Sequence, residues 1–163
     1  MARNSQKTLY TAKRGLPAAL LGAWGFYQVI AGLYFIFLRP SFLPEDLRAS
    51  ATTLEAVRSA APGIEVWLNC VFAVLGGQMA ASGVLLTGTA FRVLQGHRPG
   101  TVEVAACIAA GLLSVTLMSA VNFALGSDFR WYLVGPVILW LAVVIVFSRR
   151  TLGHTSQSWR RSK

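Results

Sequence analysis

Residues 65–91 read EVWLNCVFAVLGGQMAASGVLLTGTAF, and this stretch decides the fold class. No Lys or Arg interrupts it, and apart from Cys70 its only ionisable side chain is Glu65, in what would be its first turn. At about 1.5 Å of rise per residue, such a helix is longer than the roughly 30 Å hydrocarbon core of a bilayer. Glu65, Asn69, Phe72, Gly76, Ala80, Gly83 and Thr87 fall on one face, at steps of three and four. Apart from Phe72 they are small or polar, which is the composition favoured where helices meet inside a membrane. Gly76, Ala80 and Gly83 are therefore the expected packing seam.

Apolar runs of similar character lie on either side. Membrane spans are expected at about 16–38, 64–91, 102–125 and 131–148. The 163 residues are 55% hydrophobic and 13% charged, against roughly 25% charged in an average soluble domain. A soluble core could not hide four such runs in so short a chain. Pro17 opens the first run, at a position where a helix does not need the missing N–H. A signal peptide is the rival reading of that run. It is too long for a signal core of about 7–15 residues, and the small-residue site Ala49-Ser50-Ala51 lies far beyond its end. The run is read as a retained span.

Between the first two spans, Pro44 can start a helix whose positive end Glu45 and Asp46 complement. Leu47, Leu54, Val57 and Ala61 follow at roughly helical spacing, which predicts a short amphipathic helix at the interface. The expected fold is an all-α integral membrane protein. It is a four-transmembrane-helix bundle with a short amphipathic helix in the first extracytoplasmic loop.

Charge placement predicts the orientation. Arg3, Lys7, Lys13, Arg14, Arg92, Arg98, Arg149, Arg150, Arg160, Arg161 and Lys163 lie in the N-tail (1–15), the second loop and the C-tail (149–163). Arg39, Arg48, Arg58 and Arg130 lie in the other two loops, among Glu45, Asp46, Glu55 and Asp128. Both termini are thus expected in the cytoplasm, in a bacterial inner (plasma) membrane. Trp67, Trp131 and Tyr132 fall near the outer boundary, where amphipathic rings prefer to sit. The formal charge of +9 is confined to tails and one short loop, without a zinc or helix-turn-helix pattern, so nucleic acid is not an expected partner.

No CxxC, HExxH, GxSxG, P-loop or dinucleotide fingerprint occurs, and neither a metal nor a cofactor is expected. His97 and His154 lie in polar basic segments and read as solvated. Cys70 and Cys107 sit near opposite ends of neighbouring spans, too far apart for the usual disulfide Cα separation of below about 7 Å. Gly25, Gln28 and Gly32 share a face of the first helix, which turns Gln28 towards protein, where an amide bonds across helices. Gln78 falls opposite the Gly76–Gly83 stripe, beside Trp67, Val71, Val74 and Leu85. An amide facing lipid is costly, so that face is expected to meet another helix or a second subunit. Glu103 shares a face with Cys107, Ala110 and Ser114, and is expected to complement its helix end or to pair with Arg92 or Arg98.

The best candidate for ligand chemistry lies at the outer end. Glu65 and Asn69 are one turn apart, Asn122 sits at comparable depth, and Tyr34 and Arg130 reach the same level, so that together they would line a shallow polar cavity. The leading functional expectation is an accessory or structural membrane subunit, in a homo-oligomer or a larger membrane complex. A small-molecule carrier or binder using the outer cluster comes second. A membrane enzyme acting on lipid or quinone comes third, because Glu65 has no converging acids or histidines.

Overall fold

The computed structural model describes the backbone of residues 2–161 and the side chains of residues 15–149. All regular structure among the described residues is helical. Three helices are long and apolar enough to cross a membrane: Gly15–Phe37 within α1 (Ala2–Phe37), α4 (Ile64–Leu94), and Thr101–Ala124. The last comprises α5 (Thr101–Gly111), a π-helical turn (Leu112–Thr116) and α6 (Leu117–Ala124). α7 (Val134–Arg161) carries a shorter apolar section, Val134–Arg149.

The α1–α4 pair is the backbone of the bundle, and its seam is built from glycine. A Cβ placed on Gly32 would lie 2.5 Å from the Gly76 carbonyl oxygen and 2.6 Å from the Ala80 nitrogen. One placed on Gly25 would lie 2.8 Å from the Gly83 carbonyl oxygen and 2.6 Å from the Thr87 hydroxyl. The two backbones therefore touch at two levels separated by seven residues, which only residues without a side chain allow. α7 packs against α1 and α5, and Leu21, Trp24, Val143 and Phe147 are fully enclosed at their meeting.

The π-helical turn has a local cause. The Trp140 ring lies where a Cβ on Gly111 would be, and its Nε1–H donates to the Cys107 carbonyl at 3.0 Å. A side chain inserted into a helix's hydrogen-bond ladder is a recognised source of such a widened turn.

The first loop holds two short helices where the sequence predicts one. They are α2 (Pro44–Ala49) and α3 (Leu54–Ala60). The break falls where the Ser50 hydroxyl donates to the Asp46 carbonyl at 2.7 Å and Ala51 turns to φ 51°. Thr53 then caps α3, its hydroxyl accepting from the Ala56 N–H at 3.2 Å. Ala51 is neither Gly nor Asn, so the left-handed step leaves no mark in the sequence. The backbone of α1 is helical from Ala2, through the segment read as a tail. At the other end, α7 begins at Val134 rather than Trp131, which belongs to the turn after Gly126.

Candidate functional site

Where α1 ends, Phe37, Arg39, Pro40 and Ser41 bend over the start of α4 and line a half-open cavity of about 480 Å³ with Glu65 and Asn69. Ser41 ties the two elements together. Its hydroxyl lies 2.7 Å from Asn69 Oδ1 and 3.2 Å from the Glu65 carbonyl oxygen. Arg39 is largely covered, its guanidinium stacked 3.7 Å above the centre of the Phe72 ring. Phe35 meets the same Phe72 ring edge-on at 6.1 Å. Asp46 holds the outer side of the guanidinium at 3.4 Å and also accepts from the Leu43 N–H, which caps α2. A cation stacked on an aromatic face and anchored by one carboxylate is a fixed positive charge in the cavity wall.

Glu65 faces a different partner. Arg58 of α3 donates to both of its carboxylate oxygens, at 3.0 and 3.1 Å. The Arg58 guanidinium, hydrogen-bonded to Glu65 and close to its charge, has a pKa raised above the ordinary arginine value. Arg48 is raised in the same way by Asp128, 2.9 Å away. A bidentate arginine fixes the carboxylate's geometry, so Glu65 pins the first loop onto α4.

Of the five residues expected to share the outer cavity, Glu65 and Asn69 line it. Asn122 instead donates to the Met118 carbonyl of its own helix at 2.9 Å. Tyr34 is turned outward, its ring edge-on to Phe35. Arg130 lies in the turn after α6, with its backbone N–H on the Ser127 carbonyl. Arg39 and Ser41 take their places. Charge counting had treated Arg39 only as a loop cation, but the sequence Arg39-Pro40-Ser41 directly after an apolar run was the available signal.

The loop also seals the far side of the bundle. Glu45 and Ser127 are both buried, and the Ser127 hydroxyl donates to Glu45 Oε1 at 3.1 Å. Gln28 is buried and donates to the Ser114 hydroxyl at 3.1 Å across helices. Gln78 is exposed on the opposite side of α4 from the glycine seam. At the start of α5, the Glu103 carboxylate accepts from the Gly100 N–H at 2.7 Å and lies 2.7 Å from His97 Nε2. His97 is thus partly covered and paired rather than freely solvated. His154 lies outside the described side chains. Cys70 is exposed, Cys107 is buried, and both are free thiols.

No family model, curated protein or solved structure matches this chain.

Proposed function

We propose that the chain is a small accessory subunit of the membrane, which crosses the bilayer four times and acts by assembly with another membrane-embedded helix. Both termini and the 92–100 turn lie in the cytoplasm in this reading, and the first loop lies outside. α7 supplies the fourth crossing. Its apolar section is short for a straight span, and local thinning of the bilayer with outward-reaching arginines such as Arg149 accommodates it.

The observation that carries the assembly reading is the outward face of α4: only 11% of an apolar window of this helix is buried, and the buried residues of α4 include the seam glycines Gly76 and Gly83 and not Gln78. That face bears Gln78, which is exposed at mid-helix, where an unpaired amide against hydrocarbon costs on the order of 2–7 kcal/mol. Gly77, Ala81 and Gly88 form a second small-residue row beside that face, at steps of four and seven. A Cβ on Gly77 or Gly88 would meet nothing within 4 Å, so packing within the chain does not require these glycines. The carboxylates add support. Glu45, Asp46, Glu65 and Asp128 each clamp a neighbouring segment.

Gln78→Leu and Gly88→Leu test the proposal. Native mass spectrometry of the detergent-solubilised protein is expected to give an assembled particle for the parent chain and a single chain for each variant, with helical circular dichroism unchanged. A parent protein that is already a single chain, or variants of unchanged mass, would contradict the assembly reading. The outer cavity favours a second reading, a binder of small anions or zwitterions at the fixed Arg39 charge.

A further inference from the structure

α4 and α5 diverge on the cytoplasmic half of the bundle and leave between them a groove of about 500 Å³. Its walls are mostly apolar, with Leu85 on one side and Ala106 and Leu113 on the other, and the Ser82 and Thr89 hydroxyls on the α4 side donate to carbonyls of their own helix. Along α5 and the π-helical turn it extends from Glu103 to Ser114, about 16 Å by helical rise, from the inner end of the span to its middle. The volume lies within the roughly 300–1,000 Å³ of ordinary small-molecule sites.

The floor of the groove is polar. Trp24 and Gln28 line it from α1, one helical turn apart, with exposures of 0% and 3%. The Gln28 amide donates to the Ser114 hydroxyl, and that hydroxyl in turn donates to the Ala110 carbonyl at 2.6 Å. Gln28 Oε1 and Trp24 Nε1 are left without hydrogen-bond partners among the described residues. Buried polar atoms are normally satisfied, and the cost of leaving them unpaired grows in a low dielectric. One unsatisfied acceptor and one unsatisfied donor therefore lie beneath the floor of the groove, on successive turns of α1.

We propose that this groove binds an uncharged membrane lipid carrying one free hydroxyl, of the diacylglycerol class. A hydroxyl group carries the complement of both orphaned groups, a proton to donate to Gln28 Oε1 and a lone pair to accept the Trp24 N–H. An ester or ketone oxygen satisfies Trp24 alone. An anionic headgroup finds no Lys or Arg among the lining residues and meets the Glu103 carboxylate at the inner end. The chains of the lipid lie along Leu85, Ala106 and Leu113, and the groove opens sideways to the bilayer.

The test uses the full-length protein in phosphatidylcholine nanodiscs with added 1,2-dioleoylglycerol, read by native mass spectrometry against the same lipid acetylated at its free hydroxyl. The hydroxyl form is expected to be retained about tenfold better, the scale of one lost hydrogen bond at a buried site. Gln28→Leu and Trp24→Phe are each expected to abolish that preference. Leu113→Trp fills the groove from an exposed position, so it is expected to abolish retention of both lipids with the melting temperature unchanged. Equal retention of the two lipids, a preference that survives Gln28→Leu, or retention that survives Leu113→Trp would overturn the proposal. No retention by the parent protein would also overturn it and would leave water as the partner of Trp24 and Gln28.

Discussion

Gly83→Leu is expected to prevent the protein from accumulating in folded form, and Gly83→Ala to lower its thermal midpoint in detergent. A Cβ at this position would lie 2.5 Å from the Gly25 carbonyl oxygen, 2.7 Å from the Val29 nitrogen and 2.8 Å from Val29 Cγ2. Two of these are backbone atoms, so no rotamer change relieves the overlap and the helices must separate. Separation loosens the Gly32–Gly76 level as well, because both levels belong to one rigid pair of helices. For alanine the cost is about 1–3 kcal/mol, the usual range for an overpacked core, and leucine exceeds it. Gly15 supplies the control on the partner helix. It has open space around its Cβ direction, so Gly15→Ala is expected to be neutral or stabilising by up to about 1 kcal/mol through helix propensity. Thermal unfolding followed by size-exclusion chromatography reads both signs, and a Gly83→Ala midpoint equal to the parent's would contradict the seam.

The second large effect is expected at Trp140. Its side chain is buried, bonds the Cys107 carbonyl and fills the space over Gly111. Trp140→Ala is expected to cost about 3–5 kcal/mol, the range for emptying an aromatic site in a core. Trp140→Phe keeps much of the volume and loses the hydrogen bond, an effect of about 0.5–1.5 kcal/mol. The two residues are coupled. Gly111→Ala is expected to be strongly destabilising in the parent chain and nearly silent in the Trp140→Ala background, because the ring that would collide is gone. A double-mutant cycle by denaturant unfolding measures this coupling, expected at about 0.5–3 kcal/mol. Additive effects would separate Trp140 from the geometry of Gly111.

The two small-residue faces that meet in the α1–α4 seam were legible in the sequence because each is a property of a single helix, whereas their pairing was not. Gly25, Gln28 and Gly32 on one, and Gly76, Ala80 and Gly83 on the other, announce their faces by spacing alone. The inward direction of Gln28 was legible for the same reason. Features made by two or more elements were not. The π-helical turn depends on Trp140, which comes from a different helix. The groove takes its floor from Trp24 and Gln28 and its walls from α4 and α5, and no periodicity reports where two helices diverge. Arg39 was counted as a topology charge because its burial depends on Phe72, more than thirty residues away in sequence. The split of the loop helix turned on a left-handed Ala51, a backbone choice that neither Gly nor Pro announces.

Topology is the central claim, and single-cysteine labelling tests it most directly. In a Cys70→Ala background, with Cys107 protected by burial, cysteines at Ser5, Thr52, Gln95 and Ser162 are probed with a membrane-impermeant maleimide. Four crossings with cytoplasmic termini predict that Thr52→Cys labels in intact cells, and that the other three label only after permeabilisation. Labelling of Ser162→Cys from outside would mean an odd number of crossings if Ser5→Cys stays protected and an inverted chain if it does not, and either result would contradict the account.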